Sequence, residues 1–298
     1  MAGRSERDVM RLLRRTLLAF VCGAWLAGCV QEEAAQLPTA GTAPRVVSLA
    51  PHLTELAYSA GAGERLVGVV AYSDYPEAAR SLPRIGDAFN LDYERLAELA
   101  PDLVLAWKSG TPAPVRERLE SLGFKVIVLE TRTLEDVPER LIELGRLIGD
   151  EALALARAEQ YREALRSLHS PAPEGSGIRV FYQVSLDPLY TVGGRHFISE
   201  IISLCGGRNI FAALATPAAA VSREAVLAED PQIILSDQQS IDEARAAWAM
   251  FTMLSAIRNS GVHGIDADLV TRPTLRLADG ARQVCAAIRS TRRQGPDQ

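Results

Sequence analysis

The nucleophilic and ionisable residues of this chain do not group into a reactive set. The sequence holds no G-x-S-x-G elbow, no H-E-x-x-H pair, no Walker loop and no Cys-x-x-Cys. Those are the short patterns of covalent, zinc-dependent, phosphoryl-transfer and redox catalysis. Gly61-Ala62-Gly63 lacks the third glycine of a dinucleotide turn, and Ser73 and Asp74 have no histidine close by in the chain. What remains suits holding rather than converting a molecule. Gly193-Gly194-Arg195-His196 precedes a helix. Glycine there permits close backbone approach, and N–H groups at a helix start can donate to polar or anionic groups; the plain alternative is a turn before a helix. An enzyme is therefore the remote reading, with no catalytic residue, cofactor or metal site expected.

A second pair of residues is matched by spacing. Glu94 lies seven residues before Pro101 and Glu224 seven before Pro231, and an apolar strand follows each proline at once. The glutamates therefore take equivalent places in two similar helix–strand units. A helix-start carboxylate is also favoured simply by the helix dipole. Cys205 and Cys285 form an even pair. In an oxidising compartment they join or stay as buried free thiols, and a disulfide would be worth on the order of 4 kcal/mol in the chain-entropy model. Neither cysteine has a neighbour at metal-ligand spacing.

The N-terminus sets the compartment. Arg4, Arg7, Arg11, Arg14 and Arg15 precede the apolar run Leu17 to Trp25, which is too short to span a bilayer and has signal-peptide proportions. It ends in Leu26-Ala27-Gly28-Cys29, which resembles a bacterial lipobox. The resemblance implies that residues 1–28 are removed and that Cys29 is lipidated. A plain secretory signal with an incidental cysteine is the alternative. Residues 29–44 have no apolar periodicity and read as a flexible tether spanning roughly 20 Å.

The elements that must position these residues follow from patterning. With 48% hydrophobic and 23% charged residues, the 298-residue chain is globular and long enough for two lobes. Its net charge of -5 gives no reason to expect nucleic acid as a partner. From Arg45 short apolar strands alternate with helices, which predicts parallel sheets covered by helices. Residues 45–133 form one such lobe and residues 178–290 another. Between them, residues 134–170 are rich in Leu, Ala, Glu and Arg at helical spacing, predicting one long interdomain helix with a break or bend at Gly149-Asp150. Residues 291–298 are expected to be a disordered tail. Two lobes and a connector leave a cleft, a usual place for a small-molecule site.

Several segments resemble, in order, the periplasmic cobalamin-binding proteins of ABC importers, within the cluster that also binds siderophores and haem. They are Arg45 to Leu56 (RVVSLAPHLTEL), Tyr72-Ser73-Asp74-Tyr75-Pro76, Pro101 to Trp107 (PDLVLAW), Leu204 to Phe211 (LCGGRNIF), Val221-Ser222-Arg223-Glu224 and Arg276. The resemblance implies the class III periplasmic binding protein fold, two Rossmann-like lobes joined by a rigid helix. It implies a lipid-anchored periplasmic protein with a monomeric body that carries cobalamin or a related corrinoid to a permease dimer. It places Tyr72, Trp107 and Tyr190 against the ligand, where rigid aromatic faces suit a flat macrocycle. Core packing at strand ends is the alternative for the first two. Phe89 and Asn90 fall in a loop that adds contacts, and Gly194 and Arg195 border the site. Asp268 and Arg272 face polar amides, unless they are only a local surface ion pair. Glu94 and Glu224 meet arginines of the permease. Ala88, Ala218 and Val184 stand where relatives carry two tryptophans and a phenylalanine, so the expected cleft is less aromatic. Haem or a ferric siderophore is the alternative cargo, with His52 or His196 as a conceivable axial ligand.

Overall fold

The computed structural model describes residues 43–87, 89–173 and 175–294. The signal-peptide, Cys29 and most of the tether readings, and Ala88, lie outside the described residues. No described helix is long and apolar enough to cross a membrane.

The first lobe begins with β1 (Val46–Ser48), followed by α1 (Pro51–Ser59), β2 (Leu66–Val69), α2 (Tyr93–Glu98), β3 (Leu103–Trp107), α3 (Ala113–Ser121) and β4 (Val126–Leu129). Its four strands are parallel in the order β2-β1-β3-β4. Both faces of such a sheet are covered, which is why Leu103 to Ala106 form an unbroken apolar run and are all buried. Proline at the first turn starts α1. Its next six residues are buried, Glu55 among them.

The connector departs from one continuous helix. It folds as α4 (Asp136–Ile148) and α5 (Glu151–Leu168), packed side by side. Gly149 leaves helical geometry, and the Asp150 side chain caps the restart by accepting from the Leu153 amide at 2.9 Å. The Asp150 amide donates to the Ala60 carbonyl at 2.8 Å, and a Cβ on Gly149 would sit 2.1 Å from that oxygen. The bend therefore docks onto the end of α1. Close approach of Gly145 to Ala154 and the Arg162–Glu135 ion pair hold the hairpin shut.

The second lobe contains β5 (Ile178–Tyr182), β6 (Ser185–Leu186), β7 (Leu189–Val192), α6 (Phe197–Leu204), β8 (Gly207–Asn209), β9 (Ala218–Ala220) and α7 (Arg223–Glu229). It continues through β10 (Ile233–Asp237), α8 (Ile241–Ala249), α9 (Ser255–Arg258), β11 (Val262–Ile265), α10 (Ala267–Thr271) and α11 (Leu277–Gln294). Its main sheet runs β8-β5-β10-β11, again parallel, the same order as the first lobe. A small antiparallel sheet, β6-β7-β9, is the addition. The C-terminus also differs from expectation: α11 continues through residues 291–294, and Thr291 is buried. Residues 295–298 are outside the described residues.

One apolar cluster runs from Leu53 and Leu56 through Leu141, Leu144, Ala154 and Ala158 to Ile201 and Ile288. It crosses lobe, connector and lobe without a gap. Separating the lobes here would expose that surface to water, so the connector is a packed joint.

Candidate functional site

In open parallel sheets, ligands sit beyond the carboxyl ends of the strands. Tyr72 follows β2, and Phe89 and Asn90 lie in the next loop. The Ala71 amide donates to Gly86 at 2.8 Å and ties the two loops together. The Asp87 carboxylate accepts from the Phe89 and Asn90 amides, both at 2.8 Å, and these bonds hold its pKa below the usual carboxylate range. That turn presents Phe89 72% exposed. Tyr72 is 78% exposed and has a left-handed backbone, φ 63°, a conformation costing roughly 1–2 kcal/mol for a residue with a Cβ. Beneath it Ser73 is buried and receives a bond from the Thr54 hydroxyl at 3.3 Å. At 78% exposure Tyr72 is not packed into the core, so the strand-end packing alternative does not hold for it.

Trp107, the last residue of β3, is intermediate between the two expectations. It is partly buried against the core, its ring centre 4.9 Å from that of His52 in a T-shaped contact, with Gly110 close to the indole. A Cβ on Gly110 would lie 1.9 Å from the ring, so glycine is required there. The indole Nε1 and the His52 Nε2 are both buried without a hydrogen-bond partner. Burial, aided by the charge of Arg272, pushes the His52 pKa down to about 3, so this histidine is neutral. It is 4% exposed and is not offered to a ligand metal.

Tyr190 stands on β7, 39% exposed, opposite Ser185 on β6 and Ala220 on β9. Ala218 shares that face of β9, and Val184, 48% exposed, donates its amide to Tyr190 at 2.9 Å. Tyr190 therefore rises from a shelf of small residues. Gly194 serves packing: a Cβ there would meet the Ala212 carbonyl at 2.3 Å. Arg195 is exposed. His196 caps α6, its Nδ1 accepting from the Ile198 amide at 3.2 Å, and burial lowers its pKa to about 4.

Asp268 and Arg272 do not form merely the local surface pair that is the alternative for them. Arg272 ends α10 and reaches Asp268 at 3.0 Å, but it also bonds Asp74 at 2.6 Å and Glu55 at 3.2 Å, both in the first lobe. The bond from Arg272 holds the Asp74 carboxyl below its ordinary pKa. Arg276 forks onto Glu55 through Nε at 2.9 Å and Nη2 at 2.7 Å, with its guanidinium 3.9 Å from the Tyr75 ring centre. Sequence reasoning missed Glu55. The signal was the only carboxylate in a helix whose following residues are almost all buried.

This network ties α1 and the loop after β2 in the first lobe to Arg272 and Arg276 in the second; Tyr72 lies two residues from Asp74, and His52, three residues from Glu55, packs on Trp107. Tyr190, Gly194 and Arg195 belong to the second lobe's small sheet and the start of α6. A family model described as "Periplasmic binding protein" matches residues 46–269. The chain belongs to the periplasmic binding protein family.

Within that family, the chain is 37% identical over 252 residues to the vitamin B12-binding protein of Vibrio cholerae, covering 85% of this chain and 91% of that one. The crystal structure of the periplasmic vitamin B12-binding protein of Vibrio cholerae matches with a TM-score of 0.76, over 84% of this chain and 98% of that chain. A periplasmic haem-binding protein from Pseudomonas aeruginosa matches at 26% identity and a TM-score of 0.70, over 83% and 93% of the two chains. The class III architecture read from the sequence stands.

The two lobes of this chain repeat one strand order. Glu94 and Glu224 show how far that extends. Each is the second residue of its helix, exposed, in α2 before β3 and α7 before β10. Asp92 caps one helix by accepting from Arg95 at 2.8 Å, and Ser222 caps the other by accepting from Ala225 at 3.2 Å. Elsewhere in the second lobe Cys205 is joined to Cys285, Cα atoms 4.8 Å apart, pinning the end of α6 to α11.

Proposed function

We propose that this chain is a solute-binding protein that captures cobalamin or a related corrinoid and delivers it to an ABC import permease. The supporting observation is the exposed aromatic set of Tyr72 and Phe89 on first-lobe loops and Tyr190 on β7 of the second lobe, in a chain 37% identical to a vitamin B12-binding protein. Flat aromatic rings stack favourably on a macrocycle. In this reading Phe89 and Asn90 extend the first wall, Trp107 backs the crevice, and Arg195, Asp268 and Arg272 line it with polar groups. Turnover of the ligand forms no part of the function.

The test is titration calorimetry with cyanocobalamin, cobinamide and haemin. Binding of the two corrinoids with one-to-one stoichiometry is expected. Haemin binding with a shifted Soret band and no corrinoid heat would reassign the cargo to haem.

Docking follows from the paired glutamates. Glu94 and Glu224 offer one carboxylate per lobe on the rim that carries the aromatic loops, an arrangement suited to two equivalent basic patches on a permease dimer. Glu94→Lys with Glu224→Lys is expected to abolish uptake while leaving ligand affinity unchanged. Normal uptake by that double variant would end the docking reading. The body acts as a monomer held at the periplasmic membrane by lipidated Cys29, which mass spectrometry of the detergent-extracted N-terminus would register.

A further inference from the structure

Glu55 is 2% exposed, and its carboxylate belongs to α1 of the first lobe. Among the described residues its hydrogen bonds all come from the second lobe: Arg276 Nε at 2.9 Å, Arg276 Nη2 at 2.7 Å and Arg272 Nη1 at 3.2 Å. A buried carboxylate stripped of its cations is strongly unfavourable, because neither water nor a hydrogen bond then solvates it. The lobes cannot part at this point without creating that state. Asp74 differs. Its side chain is 42% exposed, so water replaces Arg272 readily when the contact opens. The same Arg272 Nη1 that meets Glu55 also donates to Asp74 at 2.6 Å, so the loop carrying Tyr72, two residues from Asp74, is tied to the second lobe through a guanidinium that Glu55 helps to hold.

We propose that Glu55 is a positioning residue for ligand capture, a reading that rests on the proposed function: by holding Arg272 and Arg276 against α1 it fixes the pivot of the two lobes and the placement of Arg272 beside the ligand. Arg276 adds a guanidinium fork and a stacking contact on Tyr75, which a lysine does not reproduce. Behind the fork lies a cavity of about 380 Å³ bordered by Tyr58, Tyr75 and Arg157. It leaves room for the guanidinium to shift once the carboxylate is neutralised.

The experiment measures lobe spacing and binding separately in the full soluble body. Spin labels at Glu120→Cys on α3 and Asp242→Cys on α8, both exposed, report the inter-lobe distance by pulsed electron paramagnetic resonance without any ligand. Glu55→Gln keeps the shape and removes the charge. It is expected to broaden the distance distribution and to weaken cyanocobalamin binding about tenfold, mainly through faster release. Glu55→Asp is expected to restore most of both. A distribution in Glu55→Gln as narrow as in the parent protein overturns the proposal, whatever the ligand does. Failure of the parent protein to bind cobalamin would instead sink the assigned cargo, and the distances would still decide the role of Glu55. Should Glu55→Gln not fold, Arg276→Lys carries the same two readouts, with the same broadening expected and the same narrow distribution counting against the pivot.

Discussion

The first lobe orders its strands β2-β1-β3-β4 and the second β8-β5-β10-β11, so the same scaffold is used twice. Their rims differ. The first lobe presents Tyr72 and Phe89, both more than 70% exposed, on tightly hydrogen-bonded loops. The second presents Tyr190 above alanines, with Arg195 and Arg272 nearby in sequence to its helix starts and ends. The sheet order is dictated by burial of apolar strands and tolerates little change, whereas a loop beyond a strand end pays no core cost for its side chains. The fold is therefore repeated while the exposed side chains at the rims differ between the halves.

The largest expected effect bears on stability. Only the second lobe has a disulfide among the described residues, and the 80-residue separation of its cysteines is worth about 4–5 kcal/mol in the chain-entropy model. Cys205→Ser with Cys285→Ser should lower the melting temperature markedly, and hydrogen exchange should show the loss concentrated in α6 and α11. Uniform loss in both lobes would mean that the two halves unfold as one unit through their shared core.

Next in size is a pH effect seated in the first lobe. The folded pKa of His52 is about 3 against an ordinary 6.5. The unfolded chain therefore binds a proton between those values and the folded protein does not. Stability from this group is complete above pH 6.5 and is lost as pH falls toward 3. Melting temperature should drop between pH 6.5 and pH 4, and His52→Gln should flatten that slope. His196, with a pKa of about 4, contributes in the same direction from the second lobe, so a double variant should be flatter still.

Two binding measurements sharpen the difference between the rims. Tyr72→Ala should weaken corrinoid affinity by about tenfold or more, since a rigid aromatic anchor is lost. The smallest change expected is a gain. Ala218→Trp places an indole on the face shared with Tyr190 and should tighten binding by about threefold, the scale of one added aromatic contact. A loss of affinity there would show that the shelf must stay open for the ligand.

Much of the lobe architecture was legible locally. Short apolar strands alternating with helices from Arg45 marked the two lobes, and the matched spacing of Glu94 and Glu224 before Pro101 and Pro231 revealed the repeat. The connector was only half legible. Gly149-Asp150 signalled a break, but the reversal of α5 against α4 depends on Ala60 accepting the Asp150 amide, a contact between segments some ninety residues apart. The extent of α11 was misread because a polar, arginine-rich C-terminus looks disordered until Thr291 is seen buried on the helix.

At the site the division is similar. Residue types alone excluded the common catalytic patterns, and matched spacing alone placed Glu94 and Glu224 as equivalents, because both depend on near neighbours in the chain. The cross-lobe union of Glu55 and Asp74 with Arg272 and Arg276, the unpartnered His52 and Trp107 nitrogens, and the left-handed Tyr72 were decided by tertiary structure. Each depends on what distant segments bring within a few ångströms, and charge, burial and backbone strain acquire their energies only at that range.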